Sequence, residues 1–175
     1  MSALNIVILA AGKGTRMYSE KPKVLHALAG RPLVQHVLDC ATAFQPQQVC
    51  VVYGHGGEQL PQALRADGLT FVKQQPQRGT GHALTQALPH LSGAGLALVL
   101  YGDVPLVGEE TLAAMIAGGA ERLTLLTAEL DDPAGYGRIV RNRRGSITAI
   151  VEEKDASATE RGIREVNSGI MALPA

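Results

Sequence analysis

The sequence predicts an α/β fold with a mostly parallel, mixed sheet flanked by helices. Three observations predict it. Short apolar runs, chiefly Leu4–Ala10, Val49–Tyr53 and Leu96–Tyr101, read as strands buried on both faces. They alternate with stretches of helical period, the signature of βαβ units. Hydrophobic residues make up 46% of the 175 while aromatics make up only 3%, so the core is built from Ala, Val, Leu and Ile, which suits helices packed on a sheet.

Each element follows from its local pattern. Leu4–Ala10 is the first strand and runs into Gly12 and Gly14. Lys21-Pro22-Lys23 punctuates the chain, and Pro32 opens a helix with Leu33, Val34, Val37, Leu38 and Ala41 on one face. Val49–Tyr53 is the second strand, stopped by Gly54-His55-Gly56-Gly57. Residues 58–64 read as helix, with Pro61 as an alternative start, and Leu69–Val72 as a third strand. Gly79-Thr80-Gly81-His82 leads into a helix from about Ala83 to Leu88. After the turn Ser92–Gly95, the strongest strand, Leu96–Tyr101, ends at Gly102-Asp103. Glu109–Ala117 is a helix, with Gly118-Gly119 as punctuation after it, and Leu123–Ala128 is a strand. Short strands at 138–141 and 147–151, a charged helix-prone stretch at 153–165 and a last strand at 168–173 complete the chain; they imply a mixed sheet or an appended small one.

Bulk chemistry narrows the function classes. Sixteen basic and sixteen acidic residues cancel, so no long-range field draws nucleic acid or an anionic membrane, and phosphate binding must come from a local site. Cys40 and Cys50 fall in apolar periodic stretches outside any CxxC pair, which predicts buried free thiols. The run Ile6–Ala11 is too short to span a membrane, and no secretory leader pattern opens the chain, so the expected location is the cytoplasm.

Three segments carry chemistry. Gly12-Lys13-Gly14-Thr15-Arg16 follows a strand's carboxyl end, where open α/β sheets bind ligands. Its glycines admit phosphate oxygens close to backbone N–H groups, and Lys13, Arg16 and Lys23 supply charge. It is neither a dinucleotide fingerprint, since Met17 stands at the third glycine position, nor a P-loop; alone, Gly-x-Gly equally suits a tight strand-to-helix turn. Asp103, at the end of the strongest strand, suits Mg²⁺ against a phosphate, or else a solvated turn or helix cap. Within Gln74–Ala83, a Gln amide offers the donor and acceptor that a pyrimidine edge needs; the plain alternative is a polar loop with Thr80 as N-cap.

Leu9-Ala10-Ala11-Gly12-x-Gly14-Thr15-Arg16-Met17, with Pro22-Lys23 a short step later, resembles the signature of the sugar-1-phosphate nucleotidyltransferases. Val52–Gly57, Gly79–Ala83, Tyr101–Leu106, Asp131–Ile139, Ile150–Ala156 and Glu165–Ile170 extend the resemblance over essentially the whole chain. The match is to the uridylyltransferase domain of the bacterial bifunctional enzymes that make UDP-N-acetylglucosamine. It implies a Rossmann-like, GT-A-like nucleotide-diphospho-sugar transferase fold. The implied reaction moves a uridylyl group from UTP to N-acetylglucosamine 1-phosphate, giving UDP-N-acetylglucosamine and pyrophosphate for peptidoglycan and lipopolysaccharide precursors.

The resemblance also implies residue roles. Leu9, Ala10, Ala11, Gly12 and Gly14 would hold base and phosphates; Gln74, Gly79 and Thr80 would lie at uracil. Arg16 and Lys23 would be the catalytic cations, Lys23 on the transition state and Arg16 on departing pyrophosphate, with Asp103 binding Mg²⁺. Gly137, Glu152 and Asn167 would bind the sugar, and Tyr101 would line the same pocket. Plainer roles stand beside these: a strand-entry glycine, an exposed strand Glu, a turn Asn and a packed Tyr. His55 and His82 take loop or capping roles, because a sugar phosphate is already ionised and needs no general base. The family's domain continues past the position of Ala175, with an Asn as second metal ligand, and is followed by an acetyltransferase β-helix that assembles trimers. Residues 1–175 are therefore expected to be one C-terminally incomplete uridylyltransferase domain without acetyl transfer. The competing expectations are a sibling acting on another nucleotide and sugar, and a nucleotide-sugar binding module without turnover.

Overall fold

The apolar runs become strands wherever their pattern demands burial on both faces. In the computed structural model, residues 3–12, 17–93 and 95–174 are described. The chain divides into two units, Met1–Thr124 with Met171–Ala175, and Leu125–Ile170.

The first unit contains β1 (Ala3–Ala10), the two-residue strands β2 (Ala27–Leu28) and β3 (Arg31–Pro32), α1 (Leu33–Thr42) and β4 (Gln48–Tyr53). It continues with the single turn α2 (Leu60–Ala63), β5 (Leu69–Lys73), α3 (Thr80–Ala87), β6 (Gly95–Tyr101) and α4 (Glu109–Gly119). Four strands lie parallel in the order β5-β4-β1-β6. β1 is central, with Ile6 opposite Val49 on one side and Leu98 on the other. Residues 6–8 are 0% exposed, as a strand covered on both faces requires.

Alternation along the strands builds two cores. Val7, Leu9, Cys50, Val52, Val72 and Val99 form one face, on which Ala83 and Ala87 of α3 pack. Ile6 and Ile8 point the other way, on the side that α1 and α4 cover with Val34, Val37, Leu38, Leu112 and Met115. Burying each such side chain contributes about 1.5–3 kcal/mol. Strand order reverses between β1 and β6, so their carboxyl ends flank the switch point of the sheet.

The second unit holds β7 (Thr124–Glu129), β8 (Arg138–Arg141), β9 (Ile147–Val151), the short α5 (Ala158–Arg161) and most of β10 (Glu165–Pro174). β8 pairs antiparallel with β9 and, at Arg138 opposite Val166, with β10; β7 also pairs β10. Ile139, Val166 and Ile170 are fully buried. The far end of β10 belongs to the first unit, antiparallel to β6 with Ala172 opposite Leu98. The mixed, mostly parallel sheet flanked by helices is the architecture the sequence predicts.

Five local expectations are corrected. Pro32 is the residue before α1, extended at φ −53°, ψ 144°, because β2 and β3 form a small hairpin that delivers the chain to the helix. α3 starts at Thr80, three residues early, and Gly79 rather than Thr80 is its N-cap: Gly79 stands at φ 89°, open to glycine, and starts the helix there. Gly118 and Gly119 lie inside α4, and Gly119 is a close contact: a Cβ there would stand 2.6 Å from Ala172 Cβ and 2.9 Å from Leu96 Cδ1. Residues 153–165 form only one helical turn, closed by a Ser157–Glu160 capping box, while Glu153 is drawn into an ion pair with Arg138. Cys40 is only partly buried, its Sγ donating to Val107 O at 3.4 Å, whereas Cys50 is buried as expected; both are free.

Candidate active site

The carboxyl ends of β1 and β6 open onto a cavity of about 640 Å³, a volume typical of small-ligand sites. Leu9, Ala11 and Gly12 line it from the β1 side, Tyr101 and Asp103 from the β6 side. Lys23, Gln74, Gly79 and Thr80 complete the wall, so nine of the expected residues share one cavity. Ala10 does not line it: with the strand's alternation it turns into the opposite core, 4% exposed, toward Gly102 and Val24. Its expected role in ligand binding is left to its backbone. Gly14 and Arg16 lie outside the described residues.

The acidic and basic groups meet at the mouth of the switch point. Lys23 sits in a 3-10 turn, Lys23–Leu25, closed by Leu25 N–H donating to Pro22 O at 2.9 Å and anchored by buried Val24 and Leu25. Its Nζ is 2.7 Å from Asp103 Oδ2, both side chains partly exposed. Asp103 is aimed by its neighbours. Gly102 N–H donates to Leu9 O at 3.0 Å and Val104 N–H to Tyr101 O at 3.1 Å. A Cβ at Gly102 would come within 3.2 Å of Val24 Cγ1 and of Val34 Cγ2, so any larger residue there would have to push these side chains aside.

The opposite wall presents amides. Gln74 is 3% exposed. Its Nε2 donates to Gly79 O at 2.9 Å and lies 3.0 Å from His82 Nδ1. A carbonyl can only accept, so the amide orientation is set, and among the described residues Oε1 accepts no hydrogen bond. His82 thus positions Gln74 from the first turn of α3, a more definite part than the loop or capping role that sequence alone suggests, while His55 is exposed in its loop. Gln77, which sequence reasoning did not single out, also lines the cavity, and its Nε2 donates to Ala11 O. A Cβ on Gly54 would overlap that amide and stand 2.7 Å from Gln77 Cδ and 2.9 Å from Ala11 O. The signal was present in the Gln-rich run 74–77, but nothing in spacing tells which Gln faces which group. Met17, Val24 and Ala83 are further apolar lining residues that the sequence did not mark.

In the second unit, Gly137, Glu152 and Asn167 come together. Asn167 N–H donates to Gly137 O at 2.8 Å, and a Cβ on Gly137 would stand 3.3 Å from Glu152 Oε1. Three residues far apart in sequence are thus brought together, with Asn167 Oδ1 accepting Gly169 N–H at 3.0 Å.

The MobA-like NTP transferase domain family matches residues 6–162. The chain belongs to this family. Bifunctional protein GlmU of Nitrosospira multiformis is 61% identical over 176 residues, covering 99% of this chain and 38% of that protein. Its counterparts in Neisseria gonorrhoeae, at 56% over 173 residues, and in Azoarcus sp. strain BH72, at 57% over 172, are covered to the same 38%. The chain thus spans about two fifths of the length of these relatives. A solved structure of a Bacillus anthracis protein, assigned by name as a glucose-1-phosphate thymidylyltransferase and determined with a sucrose, superposes with a TM-score of 0.78. That superposition covers 98% of this chain and 72% of the other at 19% identity, which shows a common fold.

As an NTP transferase domain, the chain needs charge compensation for a triphosphate, and a divalent metal is the family's general means. Among the described residues no cluster of three or more His, Cys, Asp or Glu forms a ready-made metal cage. Among the described residues the cavity lining includes one carboxylate, that of Asp103. One carboxylate, completed by phosphate oxygens and water, suits a hard divalent cation. The residues therefore fit the metal that this NTP transferase fold implies.

Proposed function

We propose that the chain carries uridylyl transfer from UTP to N-acetylglucosamine 1-phosphate, giving UDP-N-acetylglucosamine and pyrophosphate for cell-wall precursors. The observation that carries this reading is the cavity at the β1/β6 switch point, lined by an amide wall on one side and by Lys23 and Asp103 on the other. Residues 1–175 are assigned to the nucleotidyl-transfer domain of such an enzyme, acting in the cytoplasm; among the described residues no helix is long and apolar enough to cross a membrane.

Uracil fits the amide wall because its N3–H is a donor and Gln74 Oε1 is the acceptor left over. Gly79 and Thr80, at the start of α3, bring backbone close to the base, and the chain at Ala11 and Gly12 is held against it through Gln77. Lys23 and Asp103 form an ion pair. A triphosphate would offer Lys23 a second anionic partner, and the carboxylate of Asp103 would hold the metal. Mg²⁺, when bound, supplies neutralising charge on the phosphate oxygens.

An oxygen of the sugar phosphate attacks the α-phosphorus of UTP, a new P–O bond forms, and the bond to the β-phosphate oxygen breaks, its electron pair leaving with pyrophosphate. No proton needs to be removed from the nucleophile. The protein contributes position and charge: Lys23 opposes the negative charge gathering on the transferred group, and Arg16 is assigned to the departing pyrophosphate. Gly137, Glu152 and Asn167 are assigned to the sugar, Glu152 as acceptor for its hydroxyls and Asn167 for the N-acetyl group.

Pyrophosphate release tests the reading. Release should require UTP, N-acetylglucosamine 1-phosphate and Mg²⁺ together, and Asp103→Asn should cut it by about 10²–10³. Release from dTTP or GTP in preference to UTP would overturn the assignment.

A further inference from the structure

Arg138 is 2% exposed, and its Nε is buried with no hydrogen-bond partner among the described residues. A guanidinium is a costly way to fill a strand; apolar residues of like volume usually stabilise as well or better. What distinguishes it here is the set of groups it holds. Nη1 donates to Tyr136 O, and Nη2 donates to Glu153 Oε2 at 2.6 Å and to Arg161 O at 3.5 Å. Glu153 Oε2 also accepts Gly135 N–H at 3.3 Å, and Arg161 Nε lies 3.7 Å from Glu153 Oε1. The Arg138 hydrogen bond, more than any other neighbour, holds the Glu153 carboxyl below the usual carboxylate range.

These contacts bracket the proposed sugar-binding residues. Gly137 lies between Tyr136, whose carbonyl is held, and Arg138 itself. Glu152 is next to Glu153. Asn167 follows Val166, the register partner of Arg138, and its N–H is bonded to Gly137 O. The ion pair is thus bonded to backbone at Gly135 and Tyr136, adjoins Glu152, and reaches Asn167 through Gly137 O.

We infer that Arg138 and Glu153 are a positioning pair that holds Gly137, Glu152 and Asn167 in register for the sugar of a nucleotide sugar. This rests on the sugar-binding role proposed above for those three residues. The pair acts on recognition of the sugar and leaves the nucleotide cavity of the first unit untouched.

Calorimetric binding of UDP-N-acetylglucosamine and of UTP, in parallel with amide hydrogen exchange, tests it. Glu153→Gln should weaken UDP-N-acetylglucosamine binding about tenfold, the size of a lost charged hydrogen bond, and leave UTP within about twofold. Exchange at the Asn167 amide should quicken by a similar factor. Arg138→Lys should recover part of what Arg138→Met loses. Equal weakening of both nucleotides, or none, overturns the proposal, since a merely structural pair has no reason to discriminate between them. If the unaltered chain binds UTP but not UDP-N-acetylglucosamine, the functional reading fails instead; the exchange measurement then decides alone, and unchanged exchange at Asn167 in Glu153→Gln overturns the positioning pair.

Discussion

Gly54→Ala puts the geometry of the nucleotide cavity to a quantitative test. Gly54 does not stand at a positive φ, so an alanine there meets no backbone restriction of its own. Its cost comes from what the new methyl touches: the Gln77 amide, with Cδ at 2.7 Å, and Ala11 O at 2.9 Å. The flexible Gln77 side chain yields first and its hydrogen bond to Ala11 O is lost, while the Ala11 carbonyl must also shift slightly. Such a bond is worth about 0.5–1.5 kcal/mol, so the UTP dissociation constant should rise roughly two- to tenfold. Gln77→Ala should raise it by the same factor, because it removes the same bond. The double variant should then be no worse than Gln77→Ala within about twofold, a coupling close to the whole single-variant effect. Calorimetry on the three variants supplies the cycle, with thermal melts to confirm folding. Penalties that multiply in the double variant would show that Gly54 and Gln77 act separately, and the reasoning that joins the loop after β1 to the amide wall would be wrong.

Other outcomes follow from the same structure. Asp103→Asn should cut turnover by about 10²–10³ while leaving the melting temperature nearly unchanged, since its ion pair with Lys23 is partly exposed and such pairs contribute about 0–1 kcal/mol. Gly119→Ala should destabilise the fold by about 1–3 kcal/mol and lower the melting temperature several degrees, because the methyl has no room against Ala172 and Leu96; nucleotide affinity at the folded protein should not change. Glu165, held low by its Arg141 hydrogen bonds, and Glu58, held low by Lys73, bind a proton less readily folded than unfolded. Their stabilisation is complete above the ordinary value of 4.5 and is lost as pH falls through the lower folded values, so melting temperature should decline below about pH 4.5 and decline less in Glu165→Gln. Burial pushes the Cys50 thiol up to about 11, and burial with Glu109 nearby raises Cys40, so at pH 8 a thiol reagent should modify partly exposed Cys40 slowly and Cys50 only on unfolding.

Much of this was legible in the residues because the deciding patterns are local. β1, β4 and β6 are continuous apolar runs, and a run buried on both faces can be little else in a chain that alternates with helices. Asp103 and Lys23 are expected, with the family resemblance, to be a metal ligand and a phosphate cation; those roles are proposals, and the fold places the two side chains within 2.7 Å across eighty residues. What stayed hidden depends on three-dimensional neighbours. Gly119 reads as punctuation until Ala172 arrives against it from β10. Residues 153–165 have helical composition, yet the buried guanidinium of Arg138 claims Glu153 and leaves one turn of helix. Ala10 belongs to the motif but its side chain alternates away from the cavity, a consequence of strand period that the motif does not express. Gln77 and His82 act through other residues, on Ala11 O and on Gln74, and no spacing rule identifies such partners.

The most direct test of the central claim is nucleotide choice at the amide wall. Cytosine has no N3–H, so it cannot donate to Gln74 Oε1 and would turn a lone pair toward it. Calorimetric titration of the chain with UTP and with CTP should show UTP bound more tightly by roughly tenfold, and Gln74→Ala should remove that preference while leaving both triphosphates bound. Equal affinity for UTP and CTP in the unaltered chain, or a preference that survives Gln74→Ala, would contradict the account.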